Sequence, residues 1–267
     1  MKLTVLLALA TGLVTALLFA LFPNSDLAIT EWFWNASHTS FSLAAEPTAH
    51  IARLFGNVIP WLFAGPAFAA IILKLLFPAA PMLMRARAAL FLTLTMLVGP
   101  GVVVNGLLKE HWGRPRPVSL ENFGGNAAFI PWYSLEGSCM DNCSFVSGEG
   151  ALGFWTIAPA SLVPPPWRAP ALIAATAFGT MAGGFRIAVG KHFFTDVVFS
   201  AVLTILIIGL AHWLILARPG APDDARVEAF IGRRGRDLRA LGRHLWRGCA
   251  TLIASVTKLL KRERSAI

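Results

Sequence analysis

The chain has 267 residues, of which 56% are hydrophobic and only 14% are charged, and its formal net charge at pH 7 is +9. A soluble protein of average composition carries about 25% charged residues, so the composition excludes an ordinary soluble domain and favours a polytopic membrane protein. The charge is uneven: residues 218–267 contain 12 Lys and Arg against 5 Asp and Glu, which leaves +2 for the rest of the chain.

Six apolar stretches are predicted to cross the membrane, because a spanning helix needs about 20 mostly apolar residues. They cover residues 3–22, 55–77, 88–107, 151–162, 171–189 and 197–217. The fourth reaches a comparable length only if its helix begins near Ser147. The sequence therefore predicts an all-α, polytopic membrane protein with six transmembrane helices in residues 1–217. A basic amphipathic tail over residues 218–267 follows them.

The first stretch is either a signal peptide or an uncleaved membrane anchor. Lys2 precedes it, as in a signal peptide, but the stretch is longer than a usual signal-peptide core. No small-x-small cleavage pattern follows it before Pro23. An uncleaved anchor is therefore the favoured interpretation.

The basic residues between the spans predict the orientation of the chain. Lys2, Arg85, Arg87, Arg168 and the tail fall on one side of the six-span arrangement. The positive-inside rule puts that side, and with it both termini, in the cytoplasm. The outer side then receives the three remaining loops, which are residues 23–54, 108–150 and 190–196.

Apolar residues recur at helical spacing between the arginines of the tail, which predicts one or two amphipathic helices. These residues are Val227, Phe230, Ile231, Leu238, Leu241, Leu245 and Trp246. Such a helix is suited to an anionic inner-leaflet surface, although the charge could equally act only as a topology signal. Nucleic acid is a less economical partner for a tail tethered to a membrane, and we expect none.

Two cysteines lie four residues apart in the long outer loop. Cys139 and Cys143 form either a disulfide, if the outer side is oxidising, or two unpaired thiols. With no histidine nearby, they do not predict a zinc site.

Three polar clusters are predicted at the outer ends of the spans, where ionisable groups are costly and usually mark function. They are Lys109, Arg114 and Arg116 in KEHWGRPRP; Ser147, Gly148 and Glu149 in CSFVSGEG; and Arg186, His192 and Asp196 in FRIAVGKHFFTD. The cations of Lys109, Arg116 and Arg186 suit phosphate oxygens. Ser147 and Gly148 are predicted to open a helix whose first N–H groups add a further anion site.

His192 and Asp196 are four residues apart, so they share one face if the last spanning helix begins this early. An aspartate that accepts from one imidazole nitrogen leaves the other nitrogen as a nucleophile or base. Arg114 is expected to be structural or an accessory anion contact. Lys191 is expected to reach the outer headgroups. Lys74 and His212, towards the inner helix ends, are expected to snorkel or face the interface; neither is expected to act in a site.

The order and spacing of the clusters resemble the type 2 phosphatidic acid phosphatase superfamily. Lys109 to Arg116–Pro117 has the form K-x6-RP, and Arg186, His192 and Asp196 fit R-x5-H-x3-D, with VSGE between them. The resemblance implies a six-helix bacterial inner-membrane lipid phosphatase that uses neither metal nor cofactor, with its site facing the periplasm. It implies that His192 forms a phosphohistidine and that Asp196 orients it. It assigns the phosphate to Lys109, Arg116, Ser147, Gly148 and Arg186.

The sequence departs from the family pattern at Glu149, which stands where PSGH has a histidine that protonates the leaving group. A carboxylic acid does this only if its pKa rises towards neutrality, and the nearby cations oppose that rise. Either Glu149 is nevertheless the acid, or His111 is, or Glu149 binds a substrate hydroxyl or amine while water protonates a good leaving group. The last option weakly favours a lipid A-like or polyprenyl pyrophosphate substrate over phosphatidic acid.

Other functional classes fit the sequence less well. A transporter predicts charges through the membrane depth or paired broken helices, whereas these charges gather at one surface and no inverted repeat is visible. An inactive lipid-phosphate binder draws support from Glu149 alone. A lipid-to-lipid phosphotransferase stays open, because the residues would be the same. The sequence thus predicts a membrane lipid phosphatase.

Overall fold

The computed structural model describes residues 1–44 and 46–264, and across them the chain is mainly helical. The helices are α1 (Lys2–Leu21), α2 (Ser25–Glu31), α3 (Pro47–Leu76), α4 (Ala86–Met96), α5 (Lys109–His111), α6 (Gly148–Trp155), α7 (Ile157–Ser161), α8 (Arg168–Ala188), α9 (Phe194–His212) and α10 (Asp224–Arg264). Two π-helical stretches continue α4 and α9, over Leu97–Leu108 and Trp213–Ala217. The last three residues of the predicted tail lie outside the described residues.

Five helices in the described part of the chain are long and apolar enough to cross a membrane. They are Lys2–Leu21, Ile51–Leu76, Ala86–His111, Arg168–Ala188 and Phe194–Ala217. A polytopic, helical membrane fold is therefore present. Leucines such as Leu6 and Leu13 are about 60% exposed, as expected for side chains that face lipid rather than water.

The predicted fourth span differs from the other five. Residues 148–161 form two short helices, α6 and α7, with Thr156 between them. Its hydroxyl donates to the carbonyl of Gly153 at 2.7 Å, within the turn where α6 ends. Both helices are buried among their neighbours: Trp155 and Ile157 are fully buried, and the Trp155 indole donates to Thr95 Oγ1 at 3.0 Å. This pair forms the centre of the bundle rather than its lipid-facing wall.

The spans separate two ends of the molecule. Near the start of α3, Arg53 contacts Glu149 at the first turn of α6, whereas Lys74 near the end of α3 contacts Glu228 in α10. The three polar clusters lie at the first end and the tail lies at the second. The prediction that the polar clusters share one end of the spans agrees with this arrangement.

A small cap covers the end that carries the clusters. Strands β1 (Trp34–Asn35) and β2 (Ser40–Phe41) pair antiparallel, with Trp34 opposite Phe41. Phe41 packs with Phe123 and Phe193 in a small buried cluster. This hairpin was not predicted. Its packing holds the long outer loop against the start of α9.

Helix α10 docks on the opposite end of the bundle. Val227 and Ile231 are buried against Ala86. The Lys74 ammonium, which is only 7% exposed, donates to Glu228 at 2.7 Å. The prediction was that Lys74 snorkels or faces the interface, and in the structure its ammonium reaches past the end of the span to the Ala80 carbonyl and to this carboxylate of the tail.

Candidate active site

Two of the predicted phosphate ligands converge on one neutral oxygen. Lys109, at the end of the third long helix, donates to Asn142 Oδ1 at 3.0 Å, and Arg116 Nη2 donates to the same atom at 2.7 Å. Arg116 also donates to the Asn142 carbonyl. The Cys139–Cys143 disulfide closes the loop that carries Asn142. An acceptor oxygen shared by two cations occupies the kind of position that a phosphate oxygen fills.

The first turn of α6 lies beside Lys109. Ser147 is the N-cap, and its hydroxyl accepts from the backbone N–H of Gly150 at 3.1 Å. A Cβ at Gly148 would lie 2.7 Å from Asn105 Oδ1 and 3.4 Å from the Lys109 ammonium, so a side chain here would collide with Asn105 and press on the lysine. The predicted helix start at Ser147 agrees with the structure, and glycine lets the helix N-terminus approach the cations.

Glu149 is held by two arginines. Its Oε1 accepts from Arg53 Nε at 2.9 Å, and its Oε2 lies 3.4 Å from Arg186 Nε. The Arg186 side chain is only 12% exposed, yet this buried Nε has no hydrogen-bond partner within the described residues. Arg186 Nε thus makes an ion pair with Glu149 but no hydrogen bond, so Glu149 satisfies this guanidinium only in part.

His192 lies just before α9, which begins at Phe194 rather than at the histidine. Its Nδ1 lies 2.7 Å from the backbone carbonyl of Ser144 and 3.7 Å from Asp196 Oδ2. Because a carbonyl can only accept, Nδ1 carries the proton and the lone pair lies on Nε2. Asp196 therefore acts on the imidazole largely through Ser144, whose hydroxyl donates to Asp196 Oδ2 at 2.5 Å.

Arg114 connects the site to the rest of the fold. Its guanidinium is fully buried and donates to Asp196 at 2.6 Å and to Asp26 at 2.8 Å. It stacks over the Phe193 ring at 4.1 Å. Asp26 in turn accepts from the backbone N–H and the hydroxyl of Thr195. Of the two roles expected for Arg114, the structural one agrees with these contacts.

Burial changes the acid–base properties of the site. It lowers the pKa of His192 below its usual value near 6.5, because desolvation of the imidazolium outweighs the stabilising charge of Asp196. The imidazole is therefore neutral at pH 7. Burial and the neighbouring Arg116 and Arg186 likewise lower the pKa of Lys191.

An apolar cleft opens beside the polar cluster. It has a volume of about 520 Å³ and lies between α3 and α8. Ala52, Phe55 and Met181 line its apolar part, whereas Arg53 and Glu149 line the end towards the cations. The arrangement suits a molecule with a phosphate at one end and a hydrocarbon chain at the other. In the described part of the chain, no group of three or more His, Cys, Asp and Glu side chains is placed to hold a metal ion.

Comparison with known proteins supports this interpretation. Residues 88–219 match the PAP2 superfamily. The chain is also 32% identical over 214 residues to a Lipid A 4'-phosphatase of Francisella tularensis subsp. novicida (strain U112), which covers 80% of this chain and 94% of that protein. The chain belongs to the PAP2 superfamily. It is a membrane lipid phosphatase, as the sequence predicted.

Two further relatives of this PAP2 protein match over shorter stretches. A Lipid A 4'-phosphatase of Rhizobium leguminosarum is 39% identical over 113 residues, or 42% of this chain and 48% of that protein. A Lipid A 4'-phosphatase of Rhizobium etli is 42% identical over 102 residues, or 38% of this chain and 40% of that protein. Both matches cover less than half of the relative.

The predicted site residues lie together at one end of the bundle, but the sequence did not single out several of their partners. These partners are Asp26, Arg53, Asn105, Asn142, Ser144 and Thr195. Asp26 and Arg53 come from segments far from the three motifs, so spacing carries no signal for them. Ser144 and Thr195 lie inside the quoted stretches, and Asn105 is four residues before Lys109, but none of the three fits a position of the family pattern. Asn142 and Ser144 flank Cys143 in the loop before α6, so their closeness to the cysteine pair and to the second cluster was the available clue.

Proposed function

We propose that this PAP2 phosphatase removes the 4'-phosphate of lipid A through a phosphohistidine on His192. The names of the three relatives support the substrate, since all are Lipid A 4'-phosphatases. The observation that carries the catalytic assignment is the convergence of Lys109, Arg116 and the unsatisfied Arg186 Nε around the start of α6. A phosphate between them would meet fixed positive charge on several sides.

In the first step, the phosphate displaces the Asn142 oxygen from Lys109 and Arg116. The Nε2 lone pair of His192 attacks phosphorus, and the bond from phosphorus to the lipid oxygen breaks. Ser144 and Asp196 keep Nδ1 protonated and stabilise the positive imidazole ring that results. In the second step, water attacks the phosphohistidine and releases inorganic phosphate.

The proton for the leaving oxygen comes from water in this proposal rather than from Glu149. Both carboxylate oxygens of Glu149 face guanidinium groups, an arrangement that only the ionised form fills well. Glu149 therefore positions Arg186 and Arg53. His111 is engaged at Nδ1 by the Leu107 carbonyl and lies on the exposed side of its helix. A sugar oxygen leaves more readily than a simple alkoxide, so the reaction tolerates the loss of the usual histidine.

We further propose that α6 and α7 together form a sixth crossing, so that both termini lie in the cytoplasm of a bacterial inner membrane and the site faces the periplasm. Support comes from the position of the pair inside the bundle and from the basic tail, Arg85, Arg87 and Arg168 at the end opposite the site. The buried partners of α6 and α7 explain how 14 residues can bridge the bundle without facing lipid.

Phosphate release by the purified, detergent-solubilised protein tests the proposal. The substrates are lipid A, phosphatidic acid, phosphatidylglycerol phosphate and a polyprenyl pyrophosphate, with mass spectrometry to locate the phosphate lost from lipid A. We expect turnover of lipid A at its 4' position. His192→Ala should lower kcat by about 10⁴-fold or more, as loss of a nucleophile does. Quenching with detergent at alkaline pH, where the N–P bond of phosphohistidine is stable, should trap labelled phosphate on the wild-type protein only.

Two variants separate the roles of the candidate acids. Glu149→Gln should remain active with a raised KM, and His111→Ala should match wild type. Loss of turnover in either variant, together with loss of His192 phosphorylation, would instead identify that side chain as the proton donor. Transfer of the label to an acceptor lipid would replace hydrolysis by a phosphotransferase reaction. If wild type releases no more phosphate than His192→Ala from any of these lipids, the proposed function is wrong.

A further inference from the structure

Helix α10 extends far beyond the part that docks on the bundle. Its docked part includes Glu228 and Ile231 and ends near Gly235, where a Cβ would lie 2.5 Å from the Leu75 carbonyl oxygen. Residues 241–250 are all exposed, yet they remain helical. The family match covers residues 88–219 and does not include this helix.

The exposed part has a distinct apolar face. Five large apolar side chains between 48% and 76% exposed lie along it: Phe230, Leu238, Leu241, Leu245 and Trp246. The docked residues Val227 and Ile231 are followed at steps of seven, three and four by Leu238, Leu241 and Leu245, which keeps all five on one side of the helix. The exposed leucines therefore continue the stripe that packs on the bundle, and they point towards the side on which the bundle lies.

Beyond the edge of the bundle, that side is occupied by the membrane. The helix starts seven residues after the last spanning helix ends at Ala217, and its docking contacts are with the ends of α3 and α4. It therefore runs at the level where the spans leave the membrane. An apolar stripe of this kind is stable only when lipid or protein covers it.

The charged residues around the apolar stripe of α10 indicate what kind of surface covers it. Residues 233–250 contain six arginines and a single acidic residue, Asp237. Arg236 and Arg243 lie on the opposite side of the helix from Leu241, while Arg239 reaches over the Phe77 ring at the end of α3, so arginines border the apolar stripe. Nucleic acid would satisfy the arginines but leave the leucines in water, whereas an anionic membrane surface satisfies both.

We propose that residues 233–250 of α10 lie on the membrane surface and bind anionic phospholipid headgroups, with Leu238, Leu241 and Leu245 inserted between them. This function is independent of the lipid phosphatase reaction at the other end of the spans. It anchors the tail-bearing end of the bundle to the more anionic leaflet.

The chain carries its own probe site for a test. Cys249 is exposed and is the free cysteine of the described residues, since Cys139 and Cys143 are joined. The full-length protein would be labelled at Cys249 with an environment-sensitive fluorophore and placed in nanodiscs of phosphatidylcholine, with or without phosphatidylglycerol. We expect several-fold stronger quenching by nitroxide-bearing lipids when phosphatidylglycerol is present, and a loss of this difference at high salt.

Two variants make the test specific. Leu241→Glu with Leu245→Glu should expose the label to water in both kinds of nanodisc, while Arg243→Lys, which keeps the charge, should behave as wild type. Phosphate release at the distant site reports that each variant is folded. A label equally accessible to a water-soluble quencher with and without phosphatidylglycerol would overturn the proposal. So would cross-linking of Cys249 between two copies, or protection of the label by an oligonucleotide but not by anionic lipid.

Discussion

At the scale of single residues, the site contains more positive charge than its own acidic groups can balance. Glu149 is a carboxylate that acts on Lys109, Arg116 and Arg186 together, and it already accepts a hydrogen bond from Arg53. Asn142 completes the set with a neutral amide oxygen. A neutral acceptor holds the cations in place without neutralising them, so a phosphate dianion can replace it at little electrostatic cost.

The substitution Asn142→Asp should turn this neutral acceptor into a competitor of the substrate. A carboxylate at the same position would pair with Lys109 and Arg116, and the phosphate would have to displace a charge. We expect KM for the lipid substrate to rise about tenfold, since a charge-assisted contact at a half-exposed site contributes on the order of 1–2 kcal/mol. Steady-state kinetics would measure it, with Asn142→Ser as the neutral control. An unchanged KM in Asn142→Asp would show that the Asn142 oxygen does not occupy the position of a substrate phosphate oxygen.

The lowered pKa of His192 predicts how its reactivity depends on pH. The neutral imidazole is the reactive form, and it is lost only as the pH falls through the pKa that burial has lowered. Reactivity should therefore persist below pH 6.5. The measurement is the rate at which diethyl pyrocarbonate modifies the protein at each pH. It is made without substrate, so the ionisation of the substrate phosphate does not affect it. The His192→Ala variant corrects for the other five histidines. A half-point above pH 6.5 would contradict the effect of burial.

At the scale of elements, both ends of α3 are tied by ion pairs to other helices. A glycine also permits a close contact between helices at each end of the bundle. Gly148 brings α6 to Lys109, and Gly235 brings α10 to the backbone of Leu75. In each case the helix axis lies nearer to its neighbour than any side chain would allow. These two close contacts therefore determine where the predicted phosphate-binding residues and α10 lie on the bundle.

The substitution Gly235→Ala should release α10 from the end of the bundle. The new Cβ would lie 2.5 Å from the Leu75 carbonyl oxygen and 2.9 Å from Pro78 Cγ, and overpacking of this kind costs about 1–3 kcal/mol. Trypsin should then cleave after Arg233 and Arg236 several-fold faster than in wild type.

The matched control is Gly242→Ala in the same helix, because a Cβ at Gly242 meets nothing within 4 Å. This variant should be cleaved at the same sites as slowly as wild type. Equal cleavage rates in the two variants would mean that α10 does not depend on the close approach at Gly235.

At the scale of the whole molecule, composition and motif spacing predicted a helical membrane phosphatase with its polar clusters at one end of the spans. Motif spacing is a local signal, and the clusters lie together at one end of the spans. The roles of Asp26 and Asn142 could not be predicted, because each acts through contacts with distant segments: Asp26 lies 88 positions from its partner Arg114, and Asn142 lies 33 from Lys109. The break between α6 and α7 at Thr156 could not be predicted either, since hydropathy does not report where a helix is interrupted.

The apolar cleft between α3 and α8 links the membrane to the phosphate site, so its occupancy should decide whether lipid substrates reach His192. Ala52 lines this cleft, and Ala52→Phe would fill part of its roughly 520 Å³. Because the larger ring excludes an acyl chain and leaves the cations in place, we expect kcat/KM to fall at least about tenfold for a long-chain lipid phosphate, which is a loss of about 1.4 kcal/mol in binding. Hydrolysis of a water-soluble phosphate ester should stay within about twofold of wild type.

Leu54→Phe is the control, since Leu54 lies two residues along the same helix, is 61% exposed and faces away from the cleft. Equal losses for both substrates in Ala52→Phe would show that the cleft supports the fold of the site rather than the binding of the lipid chain.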